Sequence, residues 1–139
     1  MKPGQHMFHW RMRVYWEDTD AGGVVYHANY LRFLERARSE WLRSCGVVQS
    51  RLREREGLAL VISAVDIKFL QPARLDDEIE ATLRLDHLRA ASMIMSQQLT
   101  RVADGALLAR ARVRAGCVDA ASLRPAPLPN HLREGLSPQ

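Results

Sequence analysis

The amino-acid sequence predicts an α+β fold in which a curled antiparallel sheet of about five strands wraps around one long helix. Near the N-terminus, apolar residues fall on every second position, which is typical of a half-buried strand. A longer segment with helical spacing follows, and the second half of the chain returns to the strand period with no helix between its strands. The 139 residues are predicted to form a single domain, with its core at 8–119 and a proline-containing tail at 120–139.

The first predicted strand runs from Phe8 to Trp16, with large apolar side chains on one side and mostly polar side chains on the other. The segment Glu17–Gly23 follows, and it contains three acidic residues and two glycines. Glycines permit a sharp bend or a close approach of the backbone to another group. We therefore expect a functional loop between the first strand and the helix.

The long helix is predicted from Asn29 to Cys45. Asn29 is expected as its N-cap, and Gly46 is the residue type that ends helices. One face of this helix carries the apolar residues Tyr30, Phe33, Leu34, Ala37 and Trp41. At about 1.5 Å per residue the helix is about 25 Å long, which is enough to span a small domain. The charged segment Val47–Gly57 is predicted as a shorter second helix or a surface loop.

Four further strands are predicted in the second half of the chain, at Leu58–Leu70, Ile79–Asp86, Ser92–Val102 and Leu107–Val118. One side of the first of these is expected to carry Val61, Val65, Ile67 and Phe69. Asp104 and Gly105 predict a hairpin between the last two strands. Three prolines beyond Asp119 argue against further packed structure in the tail.

Composition narrows the functional classes. The chain has 20 basic and 16 acidic residues, and all the basic residues except Lys2 and Lys68 are arginines. Because the arginines are spread without a basic run, the sequence does not predict nucleic-acid binding. No apolar stretch approaches the roughly 18 residues of a membrane span, and the N-terminal segment lacks the apolar region of a signal peptide. Cys45 and Cys117 form no metal-binding motif, so we expect a cytoplasmic protein with reduced cysteines.

The acidic loop suggests a cation site or a catalytic carboxylate. It lacks the ligand pattern of an EF-hand, and a magnesium site, which stays open as an alternative, has no phosphate-bearing partner loop in this sequence. We favour a site without a metal or cofactor. Glu17 and Asp18 are interpreted as solvated turn residues. Asp20 is the candidate catalytic residue because its loop leads through two glycines into the start of the helix.

The start of the long helix supplies the other half of the candidate site. Free N–H groups and a partial positive charge at a helix N-terminus stabilise an anion that forms beside them. A carboxylate facing such donors across a carbonyl makes a minimal acyl-transfer site. The sequence has no G-x-S-x-G motif and no cysteine near a histidine, so the acyl group must already be activated. A thiol, with a pKa of about 8.5, leaves readily as thiolate, which favours thioester hydrolysis.

His27 lies at the mouth of the helix and offers a second catalytic candidate. Its side chain is expected to position the substrate or the nucleophile, and its backbone N–H is the favoured donor to the carbonyl. The alternative is a capping or packing histidine. Tyr26, Asn29 and Val61 are expected among the residues that contact the substrate, with Ile62 and Phe69 as further candidates for the acyl pocket.

The segment RVYWEDTDAGGVVYHANYLRFLERARSEWLR, at 13–43, closely resembles the signature of the Tol-Pal-associated acyl-CoA thioesterases of the 4-hydroxybenzoyl-CoA thioesterase family. The resemblance runs from about Phe8 to Asp119 and includes AVDIKFLQPARLDDEIE at 64–80. It implies a hotdog fold, in which an antiparallel sheet wraps around a long helix. It also implies homodimers with sites at the subunit interface, often paired into homotetramers.

The same resemblance assigns roles to individual residues. It places the catalytic aspartate, as nucleophile or general base, at Asp20 and the carbonyl-polarising N–H at His27. Coenzyme contacts fall on the turn Leu88–Ser92, where Arg89 offers a phosphate partner and Ser92 a hydroxyl. Relatives commonly have Gly and Thr where this chain has Ala90 and Ala91.

The leading hypothesis is an acyl-CoA thioesterase that releases free acid and coenzyme A. The alternative is a non-catalytic or weakly catalytic module that binds acyl carrier protein or lipid-synthesis enzymes, since the surface arginines would suit an acidic carrier. A hotdog dehydratase is a third reading, but the His and Glu arrangement of such enzymes is not found. The sequence does not decide the acyl chain length, or between aromatic and aliphatic substrates.

Overall fold

The structure, a computed structural model, describes residues 6–137, so residues 1–5 and 138–139 of the predicted domain lie outside the described part. Within that part, one antiparallel sheet is formed by β1 (Met7–Arg13), β2 (Leu58–Phe69), β3 (Glu78–Leu88), β4 (Ser92–Arg101) and β5 (Leu107–Asp119). The helices are α1 (Asn29–Ser44), α2 (Gln49–Glu56) and α3 (Asn130–Leu136). The predicted α+β class and the five-stranded antiparallel sheet are confirmed.

The strands lie in the order β1-β3-β4-β5-β2, so β1 and β2 form the two edges. The central strands follow the predicted period of two. On β3 and β5 every second side chain faces the helix and is buried. These buried residues are Ile79, Ala81, Leu83, Leu85, Ala109, Ala111, Val113, Ala115 and Cys117. The turn at Asp104 and Gly105 joins β4 to β5 as predicted, and Gly105 has a φ of +71°. The inner face of this sheet therefore forms one wall of the core.

Helix α1 packs across β1, β3 and β4 and forms the other wall of the core. Phe33, Leu34 and Ala37 are almost completely buried on its inner face. The helix ends before Gly46, whose φ of +87° favours glycine at the end of a helix. With 16 residues it is about 24 Å long, close to the predicted length. The charged segment after it forms the short helix α2 rather than a loop.

Strand β1 ends at Arg13, three residues earlier than predicted. Its pairing partner β3 begins opposite Arg13, at Glu78, so the chain beyond this point has no strand to pair with. Val14 is fully buried, but Trp16 lies in a single 3-10 turn and its side chain is 79% exposed. The alternation of apolar residues continues to Trp16 in the sequence, although the strand ends at Arg13, so the predicted strand was too long.

The prediction that Val61 lies on the same side of β2 as Val65, Ile67 and Phe69 is wrong. Strand β2 contains a bulge at Ser63, because Ile62 pairs with Ala115 while Ala64 pairs with Arg114. A bulge reverses the alternation of faces beyond it. Val61 therefore pairs with Gly116 and lies on the outer face of the sheet. The inner face of the edge strand is formed by Leu60, Ile62, Val65, Ile67 and Phe69.

The tail was wrongly expected to lack packed structure. After the prolines it forms α3, and the buried side chains of the tail are Leu128, Leu132 and Leu136. Their spacing of four residues is the helical signal that the prolines obscured. The backbone of the tail is also fixed, since Ala126 N–H donates to Cys117 O at 2.9 Å and Leu128 N–H donates to Ala90 O at 2.8 Å.

Gly135 provides a test of how tightly the tail is docked. A Cβ atom at this position would lie 2.4 Å from the backbone oxygen of Cys45. We expect Gly135→Ala to lower the free energy of unfolding by about 1–3 kcal/mol through overpacking, although alanine is the better helix former by about 1 kcal/mol. Urea unfolding would measure this, with the exposed neighbour Glu134→Ala as the control. A Gly135→Ala protein as stable as the parent would show that α3 is loosely attached.

Candidate active site

The acidic loop between β1 and α1 is held to the edge of the sheet by backbone hydrogen bonds. Val14 N–H donates to Asp77 O at 2.9 Å, and Val25 N–H donates to Ala73 O at 2.8 Å. Within the loop, Asp20 N–H donates to Val24 O at 2.9 Å, which closes a tight turn. The loop therefore has a defined path, and it delivers the chain to the start of α1.

Asp20 lies at the tip of this turn with an exposed side chain. Its Oδ1 accepts a hydrogen bond from Gly22 N–H at 2.8 Å. Gly23 has a φ of +77°, which a residue with a side chain rarely adopts. Within residues 6–137 the second oxygen, Oδ2, has no hydrogen-bond partner. The carboxylate is thus oriented through one oxygen and open to a ligand through the other.

The start of α1 leaves two backbone donors open. Asn29, Tyr30 and Leu31 donate their N–H groups to the carbonyls of the loop and first turn, at 2.8–3.3 Å. The N–H groups of His27 and Ala28 have no acceptor in the described part of the chain. Because they precede the first turn of a 16-residue helix, they lie where its partial positive charge is concentrated. The expected donor, His27 N–H, is therefore free.

The predicted N-cap role of Asn29 is wrong. Ala28 occupies the N-cap position, and Asn29 is the first helical residue. The Asn29 side chain is buried and donates from Nδ2 to Asp18 Oδ1 at 2.7 Å. This amide is used to attach the helix to the acidic loop rather than to cap the helix.

Asp18 is not the solvated turn residue that the sequence suggested. Its side chain is 4% exposed, and its Oδ2 accepts a hydrogen bond from Tyr15 N–H at 2.9 Å. Its backbone oxygen also accepts a hydrogen bond from Tyr26 N–H at 3.2 Å. Together with the bond from Asn29, these contacts join the 3-10 turn to the first residue of α1. The sequence contains both residues, but only the folded structure shows that Asp18 and Asn29 form a hydrogen bond.

The ring of His27 lies in an aromatic group at the helix start. Its centroid is 4.6 Å from that of Tyr26 and 6.0 Å from that of Phe69, which it meets edge-on. An open depression of about 260 Å³ adjoins it, lined by Val25, His27, Tyr30, Phe69, Leu70, Gln71 and Pro72. The structure therefore brings His27 together with Phe69, one of the candidate pocket residues. Tyr26 is half exposed beside them.

Tyr30 has a structural role that the sequence did not reveal. Its buried hydroxyl accepts a hydrogen bond from Ala73 N–H at 2.9 Å and donates one to Gln71 O at 3.4 Å. The ring also contacts Phe69, with 5.2 Å between centroids. The hydroxyl thereby fixes the segment after β2 against the helix start, where it forms one side of the depression.

The predicted coenzyme residues lie at the other end of the subunit. Arg89 and Ser92 flank the turn between β3 and β4, while the loop contacts the chain just before β3 through the Val24–Arg74 bridge. The 11 residues of β3, which span at most about 36 Å when fully extended, lie between these two places. Arg89 N–H donates to Ser92 O at 2.8 Å, which closes the turn. One subunit therefore does not bring Arg89 near Asp20.

Alternative chemistries find little support in the described part of the chain. Among residues 6–137, no group of three or more His, Cys, Asp or Glu side chains could hold a metal ion. Burial raises the pKa of the Cys45 and Cys117 thiols, so neither thiol is an activated nucleophile. The helices of the same region are too short or too polar to cross a membrane.

Comparison with known proteins decides the family. The model of the thioesterase-like superfamily matches residues 14–136, which include the acidic loop, the helix and the whole sheet beyond β1. The chain belongs to this superfamily. Its predicted function as a thioesterase and its hotdog fold are thereby confirmed.

Two curated relatives of this thioesterase have nearly the same length. Acyl-CoA thioester hydrolase YbgC of Escherichia coli O6:H1 is 41% identical over 126 residues, with 91% of this chain and 92% of the relative covered. Acyl-CoA thioesterase YbgC of Haemophilus influenzae is 39% identical over 126 residues, with 91% of each chain covered. Both match across the loop and the sheet rather than over a short motif.

A solved structure supports the same assignment. The 1,4-dihydroxy-2-naphthoyl-CoA thioesterase from Synechocystis superimposes with a TM-score of 0.87 and 26% sequence identity. The match covers 94% of this chain and 96% of that one. The thioesterase described here therefore shares the complete hotdog architecture with this solved relative.

Proposed function

We propose that this acyl-CoA thioesterase acts through the Asp20 carboxylate and the free backbone N–H groups at the start of α1. The observation that carries the proposal is that the Asp20 carboxylate and the unpaired N–H groups lie on one short, hydrogen-bonded segment, between Asp20 and Ala28. The N–H groups of His27 and Ala28 have no acceptor in the described chain, and Oδ2 of Asp20 has no hydrogen-bond partner there. A thioester carbonyl placed between them would meet a carboxylate on one side and donors on the other.

The reaction then needs only these groups and water. Asp20 either removes a proton from an attacking water molecule, or attacks the carbonyl carbon directly to form an acyl–Asp20 anhydride, which water then hydrolyses to the free acid and the regenerated carboxylate. The carbonyl oxygen becomes an oxyanion, which the N–H of His27 stabilises, and the helix dipole adds to that stabilisation. The carbon–sulfur bond breaks, and coenzyme A leaves as thiolate without a general acid, because the pKa of a thiol is only about 8.5. The products are the free acid and coenzyme A.

We propose that the active unit is a homodimer or a homotetramer, in which a second subunit completes the site. Arg89, Ser92 and Val61 are too far from Asp20, or on the wrong face of the sheet, to contact the same substrate molecule from within one subunit. The edge strand β2 supports this assembly, because it leaves an unpaired edge and its apolar side chains at Val65 and Phe69 are 39% and 47% exposed. In this arrangement Tyr26 and Asn29 lie next to the acyl group, and Arg89 of a neighbouring subunit binds coenzyme phosphate.

Partners and location are proposed as well. Acyl carrier protein is proposed as a partner because Arg110, Arg112 and Arg114 are exposed in a row on the outer face of β5, which suits an acidic protein. An association with the Tol-Pal cluster is proposed from the sequence resemblance, and a cytoplasmic location is proposed from the cysteine usage and the N-terminal segment.

Thiol release from short-chain, long-chain and aromatic acyl-CoA thioesters tests the function. For the preferred class we expect a kcat/KM of at least about 10⁴ M⁻¹s⁻¹, which is typical of an enzyme acting on its own substrate class. Continuous detection of the free thiol measures it directly. If none of the three classes is hydrolysed faster than by an Asp20→Asn protein, the carrier-binding hypothesis becomes the better one.

A further inference from the structure

A second cavity lies between the inner face of the sheet and the part of α1 that carries Glu35 to Leu42. Its volume is about 150 Å³. The walls are mainly apolar and include Trp41, Leu42, Leu60, Ile62, Met93, Met95 and Ala115. A cavity of this size accepts an apolar group of about six carbon atoms, such as a benzene ring.

Arg38 places a positive charge in the wall of this apolar cavity. The side chain is half-buried, and burial lowers the pKa of Arg38 while the nearby Glu35 carboxylate opposes that change. Glu35 also lines the cavity, but its Oε1 accepts a hydrogen bond from Ser39 Oγ at 3.1 Å. Within residues 6–137 no carboxylate forms an ion pair with Arg38. A charged guanidinium in such a place is costly unless a ligand pairs with it.

The protein uses only one edge of this guanidinium. Nη1 of Arg38 donates to Gln97 Oε1 at 3.1 Å. Gln97 is 1% exposed, and its Nε2 donates to Leu34 O at 3.1 Å, so its amide is locked in the orientation that accepts from Arg38. Nε and Nη2 have no partner in the described chain, yet they are not sealed from solvent. These two nitrogens form the planar edge that binds a carboxylate through two parallel hydrogen bonds.

We infer that this cavity binds a carboxylate with an apolar body of about six carbon atoms, its two oxygens facing Nε and Nη2 of Arg38. The apolar body lies against Met93, Met95 and Ile62. Two sources of such a group are available if the proposed function holds, on which this part of the inference rests. One is the free acid that the enzyme releases, and the other is the distal carboxylate of a dicarboxylic acyl group.

Calorimetric titration of the Asp20→Asn protein with hexanoate and with hexan-1-ol tests the site without any hydrolysis. We expect hexanoate to bind at least about tenfold more tightly than the alcohol, because only the carboxylate pairs with Arg38. Arg38→Met retains the unbranched apolar stem and should remove that preference. Arg43→Met is the matched control, since Arg43 lies on the same helix, pairs with Glu40 and is outside the cavity.

The comparison of the two probes does not depend on the Arg38 variant, so the test stands even if that variant does not fold. Three results would each contradict the proposed carboxylate site. They are equal affinity for hexanoate and hexan-1-ol, no binding of hexanoate, and unchanged binding of hexanoate by a folded Arg38→Met protein. Since binding is measured in an inactive background, these results are independent of whether Asp20 is the catalytic group.

Turnover distinguishes the two sources. If a dicarboxylic acyl group reaches the cavity, Arg38→Met should lower kcat/KM for adipoyl-CoA at least about tenfold more than for hexanoyl-CoA. If the released acid occupies the cavity, hexanoate should inhibit the wild-type enzyme and not the Arg38→Met enzyme. The ratio of kcat/KM for adipoyl-CoA to kcat/KM for hexanoyl-CoA should then be the same in both enzymes. Either pattern supports the site, and the absence of both would overturn its link to the reaction.

Discussion

An Asp20→Asn protein should keep its fold and lose about two to four orders of magnitude in kcat. Asparagine retains an oxygen that can accept the hydrogen bond from Gly22 N–H, so the turn is expected to persist. It supplies neither a nucleophilic carboxylate nor a base, and the remaining N–H donors can only stabilise an oxyanion that now forms rarely. Saturation kinetics with the preferred acyl-CoA would show the loss in kcat, with KM changed only a few-fold.

The control for this experiment lies in the same loop. Glu17 is also acidic and exposed, but it precedes the turn that holds Asp20. Glu17→Gln should therefore leave kcat within about twofold, and both proteins should unfold at the parental temperature, as surface changes usually do. A comparable loss of activity in the two variants would mean that the charge of the loop matters, rather than one positioned carboxylate. An Asp20→Asn protein with full activity would contradict the proposed mechanism.

Exchanging Asp18 and Asn29 should reveal that their contact positions the active site. In the single variant Asp18→Asn, the new amide must meet donors at both ends, Tyr15 N–H and Asn29 Nδ2, and can accept well from only one of them. We expect a loss of about 1–3 kcal/mol in the free energy of unfolding. A displacement of about 1 Å in a catalytic group can cost up to about 100-fold in rate, so kcat should fall as well.

The exchanged protein Asp18→Asn/Asn29→Asp can rebuild both hydrogen bonds with reversed polarity. The new amide oxygen accepts from Tyr15 N–H, and its nitrogen donates to the new carboxylate at 29, which lies favourably at the start of a helix. Asn29→Asp alone should be the least stable variant, because it places two buried carboxylates together. Urea unfolding and kcat measured on all four proteins form a double-mutant cycle. If the exchanged protein is no better than the single variants, the contact does not have the positioning role proposed here.

Local patterns predicted most of the fold because the central strands and the helix obey simple periods. Ile79 to Leu85 alternate without interruption, and both neighbouring strands extend alongside them, so all four apolar residues of the period are buried, although Thr82 on the other face is buried as well. The same reasoning failed at Trp16, where the partner strand had already ended, and at Val61, where one extra residue reversed the faces. Those outcomes depend on pairing with residues far along the chain, which a local period does not contain.

The candidate site was predictable in part for a similar reason. Asp20 and the helix start are neighbours in sequence, so leaving-group chemistry and loop composition could connect them. Asp18 was misread because composition cannot tell an exposed acid from a buried one that accepts two hydrogen bonds. The hydroxyl of Tyr30 and the amide of Gln97 were likewise invisible, since each acts across more than 40 residues.

The order of strands in the sheet has a consequence for how the protein is made. Strands β3, β4 and β5 are joined by short turns and can pair as each leaves the ribosome, whereas β1 pairs with β3 and β2 pairs with β5, both much later in synthesis. The N-terminal half, which carries Asp20, His27 and the long helix, therefore emerges with its apolar faces uncovered. Its acidic loop takes its form only after residues 73–77 have been made, because Val14, Val24 and Val25 bond to that segment, so the reactive part of the enzyme is translated before the segment that shapes it.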